Sequence, residues 1–457
     1  MPTSHGNGAE PNPSAPRQST APAQPETGPP APGHLRTPAP PATALRVGLV
    51  GVGSRAELGA QVAASELGRV VAAADPTARG RDRAVRLFGP DTVVAGGHRE
   101  LLDLVPPLAA VIVTSPDDTH AEIAIDFLRA GIAVYVEKPL ATTAADADEV
   151  LRVAVETGTK LYVGHNMRHM AFVQVMRDII RNGDIGEVKA IWCRHFVGNG
   201  GDYYFKDWHA DRRHSTGLLL QKGAHDIDII HWLAGGYTEN VVAMGDLAVY
   251  GAVTDRRDNS DQLMTDWFSM KNWPPLAQTG LNPVIDVEDI SMISMSLDNG
   301  VLASYQQCHF TPDYWRNYTV IGTRGRLENF GDGDGGVVRV WTKRTTYSPE
   351  ADQSYPITGA QSGHGDADAL TMKEFLLFVL RGEPTQTSPV AARNSVMTAI
   401  AATESLRNGA SPRVVAPVAA DVAEYFSNNQ RGAGPTGSVP HISAVSNPET
   451  LSKGANA

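Results

Sequence analysis

The sequence has little of what marks several large classes of protein. Only two cysteines, Cys193 and Cys308, occur among 457 residues, and they show no spacing pattern. This argues against a disulfide framework or a thiolate metal site and favours a reducing, cytoplasmic compartment. The formal net charge is −11 and no basic cluster occurs, so a nucleic-acid partner is not expected. No apolar run approaches the ~18 residues of a membrane span, so no membrane partner is expected either.

The two ends of the chain are poor in large apolar residues. Residues 1–44 are rich in proline and alanine, lack the apolar segment of a signal peptide, and are predicted to form a disordered tail. Residues 427–457 are rich in glycine, serine and asparagine and are predicted to form a second disordered tail. The apolar content of 42% is sufficient for two domains with their own cores between these tails.

A glycine motif follows the first predicted strand. The strand "LRVGLVG" runs into "GVGSRA", which has the pattern G-x-G-x-x-A with Gly51, Gly53 and Ala56. Such glycines allow a tight turn and a close approach of the backbone to a pyrophosphate. A second strand, "RVVAAA", ends at Asp75, at the distance where a dinucleotide fold places a carboxylate for a ribose hydroxyl. The combination favours a dinucleotide site over an ordinary turn between a strand and a helix.

Strand and helix patterns continue to alternate as far as residue 164. The segments "AAVIVTS" and "IAVYVEKP" are predicted strands, and "DTHAEIAIDFLRAG" is a predicted helix between them. Because ligands bind beyond the carboxyl ends of strands in an open α/β sheet, the groups that follow these strands are expected to face a cofactor. The alternative for Glu137 and Lys138 is an exposed ion pair at a strand end.

Several of these segments resemble one family of oxidoreductases. The stretches "VGLVGVGSRA", "AAADP", "VIVTSPDDTHAEIAIDFLRAGIAVYVEKPLATT" and "GAHDIDIIHWLAG" are similar to the Gfo/Idh/MocA family, named for glucose–fructose oxidoreductase and inositol dehydrogenase. The resemblance covers roughly residues 45–415. It implies binding of NAD or NADP and hydride transfer to or from a carbon of a sugar or polyol.

The resemblance also implies roles for individual residues. Lys138, from the E-K-P strand end, is expected close to the nicotinamide and the substrate hydroxyl, and His120 is expected near the cofactor. His225 and Asp228 match the last two positions of the family's D-x-x-x-H-x-x-D pattern, and Lys138, His225 and Asp228 are the expected catalytic residues. Gln221 stands where the first acid is expected. This departure leaves open which group takes the proton.

The second half of the chain changes pattern. The segments "GEVKAIWCRHF", "DISMISMSLDNGVLASYQQCHF" and "NYTVIGTRGRLENF" are predicted strands, with a hairpin at Asn299-Gly300. The predicted fold class is therefore an N-terminal Rossmann domain (residues 45–164) followed by an open-faced, mainly antiparallel sheet domain with helices (residues 165–426). Two late amphipathic helices are expected to pack back toward the first domain. A free sheet face favours a homo-oligomer, a dimer or tetramer.

The predicted site residues fall into two groups. The stretch 198–216 is predicted to be a loop whose rings and polar tips suit a sugar or cyclitol. The expected cofactor-binding residues are Gly51, Gly53, Ser54, Arg55, Asp75, Thr114, Ser115, Pro116, His120, Glu137 and Lys138. The expected substrate-binding residues are Lys138, Asn166, Arg168, Trp208, His209, Gln221 and His225. No metal site is expected, because no histidine pair is completed by an acid set.

The predicted function is a dehydrogenase that acts on a secondary hydroxyl of a sugar, inositol or related polyol. His225 or neutral Lys138 takes the hydroxyl proton, or Lys138 as an ammonium stabilises the alkoxide. Asp75 favours NAD, although Arg79 and Arg81 lie near enough in sequence to accept the phosphate of NADP. Two alternatives are an NAD-dependent glycosidase that oxidises its sugar only transiently, and a non-catalytic sugar or nucleotide sensor.

Overall fold

The computed structural model describes residues 44–358 and 366–431. In these residues the α-helices are α1 (Leu58–Ala64), α2 (Ala78–Phe88), α3 (His120–Arg129), α4 (Ala144–Thr157), α5 (Ala171–Arg181), α6 (Gly200–Tyr204), α7 (Arg212–Ser215), α8 (Leu218–Gln221), α9 (Gly223–Ala234), α10 (Met264–Trp267), α11 (Ala367–Arg381), α12 (Pro389–Arg407) and α13 (Ala420–Ser427). No helix in this part of the chain has the length and apolarity needed to cross a bilayer.

The first sheet is parallel throughout. Across the sheet its strands are β3 (Val93–Ala95), β2 (Gly68–Ala74), β1 (Leu45–Val50), β4 (Ala110–Val113), β5 (Ala133–Val136) and β6 (Leu161–Val163). The strands β1, β4 and β5 are almost entirely buried, as expected when helices cover both faces of a parallel sheet. The strand order reverses direction between β1 and β4, and a crevice opens beyond the carboxyl ends of strands at such a point. The predicted Rossmann fold is confirmed.

The second sheet is mainly antiparallel. Across the sheet its strands are β14 (Gln353–Pro356), β13 (Val337–Trp341), β12 (Arg326–Phe330), β11 (Tyr314–Gly322), β7 (Val188–Val197), β10 (Leu302–Cys308), β9 (Ile290–Leu297), β8 (Thr238–Asp246) and β15 (Arg413–Val414). β7 and β10 pair in parallel, and the neighbouring pairs are antiparallel. The predicted hairpin joins β9 to β10, with Gly300 at φ +81°. The predicted two-domain fold class is therefore confirmed.

Late helices connect the two sheets. Helix α11 packs on α1 of the first domain, and α12 packs on α4, α9 and β8. An aromatic cluster anchors α11 to the first sheet, because the Phe375 ring lies 5.5 Å from that of Tyr135 and 5.7 Å from that of Tyr162. Buried aromatic contacts therefore hold α11 against the first sheet.

Three regions differ from the sequence-based expectation. The predicted loop 198–216 contains the short helices α6 and α7 and a 3₁₀ turn at Trp208–Ala210. A long irregular segment, residues 247–289, separates β8 from β9 and was not assigned from the sequence. Residues 427–431, at the predicted start of the second tail, lie within the described structure, and Gln430 exchanges two hydrogen bonds with the backbone of Leu161. The rest of both predicted tails lies outside the described residues.

Candidate active site

A cavity of about 1600 Å³ opens beyond the carboxyl ends of the first sheet's strands. One wall comes from the turns after β1, β2, β4 and β5, and the facing wall comes from residues 199–225, 258–284 and 314–334. Of the predicted site residues, those lining the cavity are Gly51, Gly53, Ser54, Arg55, Asp75, Thr114, Ser115, Pro116, His120, Glu137, Lys138, Trp208, His209, Gln221 and His225. The cavity joins the predicted cofactor residues to most of the predicted substrate residues.

The glycine turn shapes the dinucleotide end of the cavity. Gly51 has φ +88°, and a Cβ there would lie 2.5 Å from the backbone of Ser115, so this position excludes a side chain. Gly53 is different, because a Cβ added to it would meet no atom within 4 Å. Open space beside a cavity-lining glycine is what a pyrophosphate needs to approach the backbone closely. These residues therefore fit a dinucleotide.

Asp75 is held in place at the end of β2. Its Oδ2 accepts a hydrogen bond from the Val52 N–H at 2.8 Å, and its Oδ1 accepts two from Thr77. Arg81 donates to the backbone oxygens of Asp75 and Pro76. These three hydrogen bonds leave the carboxylate able to accept one more, which suits a ribose hydroxyl.

Glu137 pairs with an arginine and not with the neighbouring lysine. Arg55 Nη2 lies 2.6 Å from Glu137 Oε1, and the same guanidinium binds Asp368 of α11 through two hydrogen bonds. Asn166 donates to Asp368 at 2.6 Å. Asn166 thus lies in a network behind the cavity wall, and the structure does not bring it to the lining where direct substrate contact was predicted.

Lys138 lies just beyond the end of β5, is partly exposed, and forms no carboxylate salt bridge among the described residues. Its Nζ donates to the backbone oxygen of Gln221 at 2.9 Å. Burial is the largest cause that lowers the pKa of Lys138, to about 8, while the nearby Asp117 opposes this shift and Lys222 adds to it. Burial also raises the pKa of Asp117 to about 6. The site therefore holds two groups that titrate near neutral pH, a frequent feature of proton-transfer sites.

His225 lies in the first turn of α9 and is 2% exposed. Its ring lies 6.0 Å from the ring of His165, edge to face. Behind it, Asp228 forms a bidentate pair with Arg168 at 2.6 and 2.8 Å and lies 3.6 Å from His165 Nδ1. Asp228 and Arg168 do not line the cavity. The structure therefore places these two residues behind the histidines, where they hold α9 against the 3₁₀ turn at Asn166–His169.

Four further predicted residues, Gln221, Trp208, His209 and His120, line the cavity. Gln221 is buried, and its Oε1 has no hydrogen-bond partner within the described residues. A buried acceptor without a partner is destabilising unless a ligand satisfies it. Trp208 stacks on the ring of His209 with 3.7 Å between ring centroids. His120 ties two strand ends together, because its Nδ1 lies 2.7 Å from Pro139 O and its Nε2 lies 2.9 Å from Ser115 O.

Sequence reasoning missed several residues that line the cavity. Lys222 and Tyr314 share one wall, and Asp117 sits beneath the strand-end turn. The irregular segment 247–289 contributes Leu263 and Trp267. Lys222 could have been selected from the sequence, because it directly precedes the H-x-x-D helix. Tyr314 could not, because it comes from a strand that carries no motif.

One group of possible metal ligands occurs at the cavity rim among the described residues. The ligand atoms of His98, Glu122 and Asp126 all lie within 4.8 Å of one another. Arg99 already binds both carboxylates, at 2.9 Å each. A guanidinium in this position neutralises the acids that a cation would need, so the group is read as an ion-pair cluster.

Comparison with known proteins identifies the family. Residues 45–165 match the family model described as oxidoreductase family, NAD-binding Rossmann fold, and residues 177–415 match the model of the same family's C-terminal alpha/beta domain. The chain belongs to the Gfo/Idh/MocA oxidoreductase family. The family predicted from the sequence motifs is therefore confirmed.

Individual relatives of this Gfo/Idh/MocA protein share part of its length. An inositol 2-dehydrogenase of Gluconacetobacter diazotrophicus is 31% identical over 42% of this chain and 55% of that protein, so the match spans little more than half of the relative. A levoglucosan dehydrogenase solved with NADH and levoglucosan superimposes with a TM-score of 0.66 at 18% identity, covering 81% of this chain and 99% of that one. A myo-inositol 2-dehydrogenase from Lactobacillus plantarum gives a TM-score of 0.61 at 18% identity, with 82% and 100% covered. Likeness at this identity establishes the shared fold.

Proposed function

We propose that this protein is an NAD-dependent dehydrogenase that oxidises or forms a secondary hydroxyl group of a sugar, inositol or related polyol. The observation that carries the proposal is the meeting of three groups in one cavity beside the glycine turn. Lys138 reaches across to the backbone of Gln221, and His225 lies one helical turn farther along the same wall. The names of the inositol and levoglucosan dehydrogenases among its relatives support the same substrate class.

The proposed substrate contacts follow from the polar groups of that wall. The unpartnered Oε1 of Gln221 accepts a hydrogen bond from a substrate hydroxyl. Lys138 donates to the reacting oxygen and stabilises negative charge that develops on it. The stacked pair of Trp208 and His209 offers an apolar face with a polar edge, which suits a sugar ring.

The proposed cofactor contacts lie at the other end of the cavity. Gly51 and Gly53 receive the pyrophosphate, and Asp75 binds a ribose hydroxyl, which favours NAD because a fixed carboxylate repels a 2′-phosphate. The bound nicotinamide dinucleotide supplies the hydride acceptor or donor. Arg81, a possible phosphate partner, is already bound to backbone oxygens, which supports the same preference.

Self-association forms part of the proposal. The face of the second sheet opposite α9 and α12 exposes Trp192, Met244, Met292 and Leu302, and the register pairs Met292 directly with Met244. Trp192 alone is 53% exposed. Exposed apolar side chains on neighbouring strands mark interaction sites. The proposed occupant is the same face of a second copy, in a homo-oligomer.

The test is reduction of NAD and of NADP by the purified protein across inositols, aldopyranoses and anhydro sugars, with Lys138→Ala in parallel. We expect reduction with one substrate class and a loss of at least about 100-fold in kcat for the variant. Lys343→Ala, at an exposed lysine, serves as the matched control. Full turnover by Lys138→Ala would contradict the proposed role. A product without net redox change would indicate the transient-oxidation glycosidase, and tight dinucleotide binding without any turnover would indicate the sensor.

A further inference from the structure

A phenol and an ammonium group lie side by side in the substrate half of the cavity. Lys222 Nζ donates a hydrogen bond to Tyr314 Oη at 2.9 Å, and both residues line the cavity. Lys222 is only 5% exposed and forms no carboxylate salt bridge within residues 44–358 and 366–431. Its ammonium also lies 5.7 Å from the ring centroid of Tyr204 and 5.4 Å from that of Tyr314. A buried lysine held only by phenols favours the negatively charged form of a phenol beside it.

The backbone places both groups in one wall of the cavity. Tyr314 is the first residue of β11 and pairs with Val197 at the end of β7, so it stands where the second sheet meets the cavity. Lys222 lies between Gln221, whose backbone oxygen binds Lys138, and helix α9, which begins at Gly223. The pair therefore belongs to the same wall as His225, and Lys138 reaches this wall from the opposite side of the cavity.

Several charged or titratable groups surround the phenol of Tyr314, and they come from each element packed against it. They are Lys222 before α9, Arg316 on β11, Asp332 after β12, His195 on β7, and Tyr203 and Tyr204 on α6. Burial raises the pKa of Tyr314, but the positive charges of Lys222 and Arg316 outweigh burial, so that the pKa lies below the usual range for tyrosine. Asp332 opposes this effect and is itself paired with Arg316 at 3.5 Å.

Two of the other polar groups near Tyr314 are poorly suited to accept a proton. Gln221 occupies the position where the family pattern has an acid, and a carboxamide is not a base. Lys138, with a pKa lowered by burial to about 8, is about 90% protonated at pH 7 and acts there as a hydrogen-bond donor. Oxidation of an alcohol needs a proton acceptor, and His225 and Tyr314 are two remaining candidates in the cavity lining. Tyr314 accepts a hydrogen bond from an ammonium group, and the variants below distinguish it from His225.

We infer that Tyr314 is a catalytic residue that accepts the hydroxyl proton of the substrate, and that Lys222 is the positioning residue that holds its phenolate. This inference rests on the proposed function. In the step, the O–H bond of the substrate breaks and its proton forms a new bond to Tyr314 Oη. The carbinol carbon becomes a carbonyl carbon as it gives up hydride, with two electrons, to oxidised nicotinamide dinucleotide. In the reverse direction Tyr314 returns the proton to the carbonyl oxygen.

The first test needs neither cofactor nor substrate. Ultraviolet absorbance of tyrosinate is followed while the pH of the full-length protein is raised, for wild type, Tyr314→Phe, Lys222→Met and Lys222→Arg. We expect one of the 12 tyrosines to ionise well before the others, and this early phase to disappear in Tyr314→Phe. It moves to higher pH in Lys222→Met and is retained in Lys222→Arg, which keeps the charge. Tyr347→Phe, at a side chain exposed to solvent, is the control that leaves the early phase in place.

The second test uses turnover. We expect Tyr314→Phe to lower kcat by about 100-fold, with a smaller change in KM and with loss of the acidic limb of the pH profile of kcat. Lys222→Arg retains more activity than Lys222→Met. Thermal unfolding of each variant shows whether the fold is intact. An early tyrosinate phase that persists in Tyr314→Phe, or a folded Tyr314→Phe enzyme with the kcat and pH profile of wild type, overturns the inference.

The proposed function and the role of Tyr314 are refuted by different results. Wild-type protein that binds NAD but oxidises no polyol overturns the proposed function and, with it, the catalytic role of Tyr314, even if the early tyrosinate phase is present. Wild-type turnover that depends on Lys138 but not on Tyr314 leaves the proposed function standing and removes the inference alone.

Discussion

Buried neutral histidines make this fold sensitive to mild acid. His231 on α9 shows the reason most clearly, because its Nε2 accepts a hydrogen bond from the backbone N–H of Thr238 at 3.1 Å. Protonation of Nε2 would abolish that acceptor in a buried position. Burial is the main cause that lowers the pKa of His231, to about 4. Burial also lowers the pKa values of His165, His195 and His309.

The size of the effect follows from the difference between folded and unfolded chains. Between pH 6.5 and pH 4 the unfolded chain carries a proton on His231 that the folded chain lacks, so stability falls as the pH falls through this window. At pH 5 the loss from His231 alone is about 2 kcal/mol relative to pH 7. Domains of ordinary stability have about 5–15 kcal/mol in total. The raised pKa of Asp117, about 6, acts in the opposite sense, because its folded form binds a proton first.

The His231→Gln variant isolates this contribution from the opposing one. Urea unfolding followed by circular dichroism gives the free energy of unfolding of wild type and variant at several values between pH 5 and pH 7. We expect the stability difference between them to shrink by about 2 kcal/mol on going from pH 7 to pH 5. Lys343→Gln, at an exposed side chain, controls for substitution itself. A difference that stays constant within about 0.5 kcal/mol would refute the reasoning.

Three further predictions concern the cofactor and the assembly. Gly51→Ala lowers the unfolding temperature and weakens NAD binding by at least about tenfold, as measured by calorimetry, because its Cβ would lie 2.5 Å from the backbone of Ser115. Asp75→Ser shifts the ratio of Kd values toward NADP by at least about tenfold, because the repelling carboxylate is lost while Arg79 still lines the cavity. Trp192→Glu lowers the mass found by sedimentation, because a charge enters the exposed face of the second sheet.

Each of these substitutions has a matched control. Gly53→Ala retains the unfolding temperature, because a Cβ there meets no atom within 4 Å, yet it still weakens NAD binding by filling the space beside the turn. Asp82→Ser removes an exposed carboxylate of α2 that does not line the cavity, and we expect no change in cofactor preference. Val105→Glu, at a side chain 92% exposed in a loop, leaves the sedimentation unchanged. An equal fall in unfolding temperature for Gly51→Ala and Gly53→Ala would contradict the first prediction. Equal effects in variant and control would contradict the predictions for Asp75 and Trp192.

The family and the two-domain fold were predictable because their signals are local. Gly51 and Asp75 belong to one unit of two strands and a helix, and the spacing between them depends only on the lengths of those elements. The hairpin at Gly300 likewise depends on a dipeptide that favours a tight turn. Such patterns can be recognised without knowing which other segments of the chain pack against them.

Pairings between distant segments could not be predicted in this way. His225 and Asp228, three positions apart, were expected to act together. In the structure, Asp228 forms a bidentate salt bridge with Arg168, which lies 60 positions earlier in the chain. Tyr314 reaches the cavity only because β11 pairs with β7, and no sequence feature marks that register. Sequence periodicity indicates which face of an element is buried, but not which side chain from another element will meet it.

The same distinction explains the pair of charges at the end of β5. Adjacent Glu137 and Lys138 look like an ion pair, but consecutive residues in an extended segment point in opposite directions. Glu137 therefore turns to Arg55, and through it to Asp368 of α11, while Lys138 turns to the cavity and binds the backbone of Gln221. Because the carboxylate is neutralised by the arginine, it supplies only a secondary stabilisation of the ammonium, and burial lowers the pKa of Lys138 to about 8. The arginine bridge thus separates two charges that are neighbours in sequence and leaves the lysine available to a substrate oxygen.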